Sequence, residues 1–248
     1  MRVLITIEYL GTSYCGWQKQ KNGRSVQETL AKAISTLTAE EIVLHGSGRT
    51  DSGVHAIAQA AHFDTNTKIP VEKLPYAINS LLPRDISVKS ARSVVAAFNA
   101  RFDAISKTYI YKIYTGAHLS PTRELTHCHI PYALDVQKMR EAASRIIGTH
   151  DFKCFQSTGG HVKDTVRTIY TATVTESGDE ILIEVKGNGF LYNMVRIIAG
   201  TLVYAGIGKL SAEDITSAIS SRDRTRAGKT LDAKGLYLKN VEYDFGDN

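Results

Sequence analysis

The sequence predicts an α+β chain with mainly antiparallel sheets, built as two tandem halves. Three observations carry this reading. Short runs rich in β-branched residues alternate with segments whose apolar residues recur at helical spacing. The order of these elements over residues 1–103 recurs over 104–248. Both halves also open on a strand followed by a helix that begins with a capping residue and Val-Gln, at Ser25-Val26-Gln27 and Asp135-Val136-Gln137.

In the first half, Val3 to Tyr9 is a strand. Ser25 and Glu28 form a capping box for a helix to Leu37, with Val26, Leu30, Ile34 and Leu37 on one face. Strands follow near 41–45 and 56–63, then a helix from Val71 to Leu82 stopped by Pro83, then a strand from Ile86 to Val94. The second half starts with a strand from Thr108 to Tyr114, with Tyr109, Tyr111 and Ile113 on one side. Asp135 caps a helix whose apolar face is Val136, Met139, Ala143 and Ile146, with Gly148 at its stop. Strands at 165–175 and 180–186, a helix from Gly189, another from Ser211 and a strand from Leu236 to Tyr243 complete it. Each half thus reads β-α-β-β-α-β, the ferredoxin-like arrangement, with an additional helix in the second. The expectation is two domains, 1–103 and 104–248, with a cleft between them, where substrate pockets tend to form.

Composition narrows the class. A 43% hydrophobic and 22% charged chain of 248 residues reads as an ordinary soluble globular protein with a substantial core. Lys and Arg total 30 against 25 Asp and Glu, a formal charge of +5, which suits a polyanionic partner. Cys15, Cys128 and Cys154 are scattered and odd in number, so a reducing compartment fits and no disulfide framework is implied. No signal peptide precedes the first strand, and the longest apolar stretch, from Phe190 to Tyr204, is broken by Asn193 and Arg196. The expected location is the cytoplasm, with no membrane partner.

One loop carries the chemistry. Gly46-Ser47-Gly48-Arg49-Thr50-Asp51-Ser52-Gly53-Val54-His55 puts a carboxylate two residues from an arginine, among three glycines, between two strand-like runs. Glycines let such a loop turn tightly and let a substrate approach its backbone. Loops on rigid strands are where catalytic side chains concentrate. A guanidinium beside Asp51 favours the ionised carboxylate and can also hold a phosphate.

With Ala56 added, this block resembles the signature of the tRNA pseudouridine synthase A family (TruA). Tyr14-Cys15-Gly16-Trp17-Gln18, Ser25-Val26-Gln27-Glu28, Ala100-Arg101-Phe102, Tyr109-Ile110-Tyr111, Asp151-Phe152, Thr165-Val166-Arg167-Thr168-Ile169, the run from Asn188 to Arg196, and Gly235-Leu236-Tyr237-Leu238 resemble further blocks in the family's order. Ser52 stands where the family often has alanine, and Asn99 where it often has histidine. The resemblance implies isomerisation of uridine to pseudouridine in the anticodon stem-loop of tRNA, at tRNA positions 38 to 40, by a homodimer without a cofactor. It implies Asp51 as the catalytic carboxylate, with Arg49 filling the space of the displaced base or gripping a flanking phosphate. Tyr109 reads alone as an aromatic strand residue; the resemblance implies that it stacks on the uracil. Arg196 reads alone as the polar stripe of an apolar helix; the resemblance implies an ion pair with the catalytic aspartate. Leu236 lines the uracil pocket by the same resemblance, or belongs to plain core.

Trp17 and Arg24, in a loop that interleaves aromatic and basic residues with Tyr14, Lys19 and Lys21, are expected substrate contacts, as is Arg101. Arg222, Arg224, Arg226 and Lys229 form a second expected phosphate patch. His127-Cys128-His129 lacks a second ligand pair nearby and is read as non-metal, and His55 as hydrogen-bonded within the signature loop. No nucleotide-binding pattern is present. A non-catalytic RNA-binding protein is the rival reading, though no Lys/Arg-Gly-Phe/Tyr run of the RNP1 kind occurs. A phosphotransferase using Asp51 as acceptor lacks an acidic metal-binding cluster beside it.

Overall fold

The computed structural model describes residues 1–21, 23–160 and 162–246. In chain order the elements are β1 (Arg2–Tyr9), α1 (Val26–Thr38), β2 (His45–Gly46), β3 (His55–Asp64), α2 (Leu74–Asn79), β4 (Ile86–Val94), β5 (Ala104–Tyr114), β6 (Cys128–His129), α3 (Val136–Ser144), β7 (Gly148–Asp151), β8 (Val166–Ser177), β9 (Glu180–Gly187), α4 (Met194–Gly206), α5 (Ala212–Ser221) and β10 (Leu236–Tyr243). The chain is thus mixed α and β with mainly antiparallel pairing. Two compact units emerge, Met1–Ile105 together with the chain from Tyr237, and Ser106–Leu236. The sequence reading placed all of the last strand in the second half; from Tyr237 onward it groups with the first unit, because it pairs in parallel with β3 at His55 and Ala56.

In the first unit β4, β1 and β3 are antiparallel neighbours. Val3, Ile5 and Ile7 of β1 are fully buried, as are Leu30 and Ile34 of α1 and Leu74 and Ile78 of α2. Each such side chain stabilises the fold by about 1.5–3 kcal/mol. Leu4, on the other face of β1, clusters with Ala60, Phe98 and Ala100, covered by Val94, Val241 and Tyr243. Ser25 caps α1 by accepting the Glu28 N–H at 3.2 Å, while the Glu28 carboxylate pairs with Lys19.

Two expectations are corrected here. The strand expected near 41–45 shrinks to β2, two residues that pair with Ala61 and His62. The helix expected from Val71 to Leu82 is one 3₁₀ turn followed by six helical residues. Asn79 stops it: its amide accepts from the Val88 N–H and donates to the Val88 carbonyl, at 2.7 and 2.9 Å. That pair of bonds fastens the helix end to β4 instead of extending it.

In the second unit β5, β9, β8 and β7 are consecutive antiparallel neighbours, and β6 runs parallel to β5. Asp135 caps α3, which ends at Ser144, before Gly148 opens β7. Ser211 and Asp214 form both halves of a capping box on α5. The helix expected from Gly189 begins at Met194. Asn193 takes a left-handed φ of 59° and closes the preceding turn, so residues 189–193 are not helical. Most of α4 is buried. Among the described residues no helix is long and apolar enough to cross a membrane.

Candidate active site

The loop from Gly46 to Val54 leaves β2 and enters β3, and its backbone is fastened on both flanks of Asp51. On the upstream side, the Ser47 N–H donates to the Ala60 carbonyl at 2.8 Å, and the Ser47 hydroxyl donates to Gln59 Oε1 at 2.6 Å. Gln59 also donates to the Gly48 carbonyl at 3.1 Å. Gln59 is fully buried on β3, so this polar side chain is a fixed post within the core. At Thr50 the hydroxyl bonds the buried Tyr9 hydroxyl at 2.7 Å, and the carbonyl accepts the Trp17 N–H at 3.1 Å. Burial holds the Tyr9 phenol above its ordinary range, so it stays a neutral hydrogen-bonding partner.

Downstream, the Val54 N–H closes a turn onto the Asp51 carbonyl at 3.1 Å, and the Ser52 hydroxyl donates to the Tyr14 carbonyl at 3.2 Å. Segment 11–17 lies directly on this loop, and two glycines make the approach possible. A Cβ on Gly11 would overlap the Val54 carbonyl; one on Gly16 would lie 2.5 Å from the Thr50 carbonyl oxygen, and Gly16 also has a φ of +105°. The His55 Nδ1 accepts the Gly11 N–H at 2.9 Å, and its ring stacks on Tyr237 at 4.6 Å. This bond ties His55 to segment 11–17. Arg49 is exposed and Asp51 half-buried, two residues apart on this fixed backbone. The arrangement can hold a carboxylate in one place against a flexible polyanion, with a cation beside it.

Trp17, expected among the substrate contacts, is only 2% exposed. Its indole lies where a Cβ on Gly46 would go, and its ring is 6.2 Å from that of Tyr9. It packs beneath the loop, because a large aromatic in a half-polar segment fills the space that glycine leaves. Arg24 is exposed, with its guanidinium 4.9 Å from the Tyr14 ring centroid. Arg101 is exposed on the turn at 99–103.

The second unit carries the other expected residues. Tyr109 lies on β5 opposite Val185 and packs edge-on against Phe190, ring centroids 5.0 Å apart. The contacts that hold Arg196, in the first turn of α4, include Leu231 and Asn193. The Arg196 Nε donates to the Leu231 carbonyl and one terminal nitrogen donates to Asn193 Oδ1, each at 2.7 Å. Asn193 is itself anchored through its amide nitrogen to the Ser157 hydroxyl at 3.1 Å. Leu236 opens β10 and is buried.

In the patch expected at 222–229, two of the four cations have structural partners. Arg222 Nε is 2.9 Å from Asp151 Oδ2, whose carboxyl is held below the ordinary range, chiefly by the Thr165 hydroxyl. Arg224 donates to the Ala227 carbonyl and to the Thr230 hydroxyl. Residues from Gly228 lie on α4, where the Gly228 N–H donates to the Thr201 hydroxyl at 2.8 Å. Arg226 and Lys229 remain exposed. In the His127-Cys128-His129 run, His127 Nδ1 bonds the Thr126 hydroxyl and His129 Nε2 bonds the Gly116 carbonyl.

The sequence model of the tRNA pseudouridine synthase family matches residues 5–103 and 142–244. The chain belongs to that family. The tRNA pseudouridine synthase A of Thermoanaerobacter sp. is 50% identical over 241 residues, spanning 97% of this chain and 99% of that one. Those of Ruminiclostridium cellulolyticum and Bacillus subtilis are 51% and 49% identical, each spanning 98% of this chain and 99% and 100% of their own. A chain from a solved Cbf5-Nop10-Gar1 complex is far more distant, at 13% identity and a TM-score of 0.39, covering 95% of this chain and 48% of that chain. The matched segments contain Trp17, Arg24, Arg49, Asp51 and Arg101 in the first and Arg196 and Leu236 in the second; Tyr109 lies between them.

Sequence reasoning missed the residues that position these groups. Tyr9, Gly11 and Gln59 carry no motif of their own, and Asn193, inside the run from Asn188 to Arg196, shows no sign in sequence that it orients Arg196. Gln59 could have been found as the polar residue between Ala56-Ile57-Ala58 and Ala60-Ala61.

Proposed function

We propose that this protein converts uridine to pseudouridine in the anticodon stem-loop of tRNA, at positions 38 to 40, with Asp51 as the catalytic carboxylate. The observation that carries the proposal is Asp51 on a loop tied at Ser47 and Thr50 to buried neighbours and closed by the turn from Asp51 to Val54, inside a chain of this family. The reaction breaks the bond from ribose C1′ to uracil N1 and forms one from C1′ to C5, while the hydrogen at C5 is exchanged for one at N1. It is an isomerisation, so no redox equivalent and no water is consumed. The target base has to leave its stack, which costs a few kcal/mol and least in a loop. Arg49, exposed two residues from Asp51, takes the vacated space or the flanking phosphate. Tyr109 stacks on the uracil. Arg196, oriented by Asn193 and Leu231, keeps the catalytic carboxylate ionised, and Leu236 lines the base pocket.

The finer fold reading is two tandem ferredoxin-like halves, each supplying residues to one uridine. The order of elements from β1 to β4 supports it for the first. The working form is a homodimer. Duplex RNA offers little readable sequence in its grooves, so a target arm is located by shape and backbone over a distance. A second subunit supplies that reach.

The test is to incubate purified protein with unmodified tRNA and map pseudouridine by nucleotide, with and without EDTA. Pseudouridine at positions 38 to 40 that survives chelation is expected. No pseudouridine, or activity lost to EDTA and restored only by one specific metal, contradicts the reading.

A further inference from the structure

We propose that Phe102 is a base-stacking contact for the RNA substrate, presented with Arg101 on a rigid turn; this rests on the tRNA reading above. Phe102 is 74% exposed. A lone exposed apolar side chain is unremarked on most surfaces, but the backbone beneath this one is fixed to an unusual degree. Asn99 Oδ1 accepts the N–H groups of both Arg101 and Phe102, at 2.9 and 3.3 Å. Asp103 Oδ2 accepts the Asn99 N–H at 2.8 Å, and the Asp103 N–H returns to the Asn99 carbonyl at 3.0 Å. Under the turn, Ala100 is fully buried; its N–H donates to His62 Nδ1 at 3.1 Å and its carbonyl accepts from the Tyr243 hydroxyl at 2.7 Å.

The turn is therefore bolted to the core at its base and leaves an aromatic ring in solvent at its tip. The Arg101 guanidinium lies 5.5 Å from the Phe102 ring centroid. Both chain neighbours of Phe102, Arg101 and Asp103, are exposed and charged, so along the chain the ring is flanked by charge. A π-face in polar surroundings with a cation beside it matches a nucleobase and its adjoining phosphate. Pre-set geometry means that little ordering accompanies binding. Asn99 is one of the two departures from the family pattern noted above, and here its short amide caps the turn.

Phe102→Trp provides a direct readout, because the chain has one other tryptophan, Trp17, which is 2% exposed. Titration with tRNA is expected to quench the new emission saturably while the wild-type signal changes little. Phe102→Leu, apolar but without a π-face, is expected to weaken tRNA binding about tenfold, within the range that base stacking on aromatics spans. Phe102→Tyr is expected to restore affinity to within about twofold. Unquenched Phe102→Trp at saturating tRNA, or Phe102→Leu binding as wild type, overturns the proposal even with wild-type activity intact. So does a Phe102→Leu protein whose oligomeric state has changed, since the ring then serves self-association. A wild-type protein that neither binds nor modifies tRNA overturns the functional reading itself.

Discussion

The loop at 46–55 and the segment at 222–229 look alike in sequence, both basic and both containing glycine, yet the structure uses their arginines in opposite ways. In the first, hydrogen bonds from Ser47, Gln59, Tyr9 and Trp17 fix the backbone, and Arg49 is left exposed beside Asp51. In the second, the arginines themselves do the fixing: Arg222 pairs with Asp151 and Arg224 binds a carbonyl and a hydroxyl. Positive charge in a sequence therefore marks a binding site only where other groups hold the chain. Where cations hold the chain, those cations are engaged, and in this segment Arg226 and Lys229 remain exposed.

The sharpest way to break this comparison is to remove one arginine from each region. Arg49→Ala is expected to lower kcat/KM for tRNA about 100-fold, the scale seen when one preorganised charge is lost from an active site. Arg222→Ala is expected to change it less than about twofold, and stability by under about 1 kcal/mol, because an exposed ion pair contributes little. Equal losses in steady-state assays would mean that both segments contact the substrate in the same way.

A second substitution probes the buttress without touching a charged group. Gly16→Ala places a methyl 2.5 Å from the Thr50 carbonyl oxygen at a φ of +105°. A cost of about 2 kcal/mol is expected in denaturant unfolding, the scale of enforced left-handed strain. Activity is expected to fall further than the folded fraction, because the displaced carbonyl adjoins Asp51. An activity loss that merely follows the folded fraction would separate the buttress from the chemistry.

A third effect, on stability alone, concerns the floor of the first unit. His62 is buried, stacked on His45 at 5.0 Å, and accepts the Ala100 N–H, so its pKa falls from 6.5 to about 4, with burial the main cause and His45 the next. Arg2 lowers it further, while Asp64 and Asp103 oppose the shift. The neutral imidazole is the form that fits the fold. As pH drops below 6.5 the unfolded chain binds a proton that the folded chain refuses, so stability declines until about pH 4 and levels off there. Thermal melts of His62→Gln, which can still accept the Ala100 N–H, are expected to show a shallower decline over that window. Identical slopes would assign the pH dependence to other groups.

Much of this was legible beforehand, and the failures have physical causes. β4 and β10 have the bounds expected from the sequence, and α1, α3 and α5 start at residues whose side chains cap backbone N–H groups. Local chemistry sets such boundaries, so local sequence shows them. The start of α4 was missed because Asn193 adopts a left-handed backbone that apolar periodicity does not encode. Helix α2 was overextended because Asn79 bonds to Val88 on a different element. Trp17 was read as a ligand contact because aromatic and basic residues alternate around it, whereas its burial depends on Gly46, far along the chain. At the site, the residue types are visible in Gly48-Arg49-Thr50-Asp51, but of the posts that hold them Gln59 leaves only a faint sign in sequence, and Tyr9 shows itself only in three dimensions.

The claim on which the account depends is that Asp51 performs the chemistry and does not merely shape the loop. Asp51→Asn preserves size and the Asp51 main-chain carbonyl that closes the turn with Val54. Measured side by side with wild type, it is expected to melt at a similar temperature, bind unmodified tRNA within about twofold and with the same salt dependence, since phosphate contacts set that slope, and form no pseudouridine. A folded, tRNA-binding Asp51→Asn protein that still forms pseudouridine at an appreciable rate would contradict it.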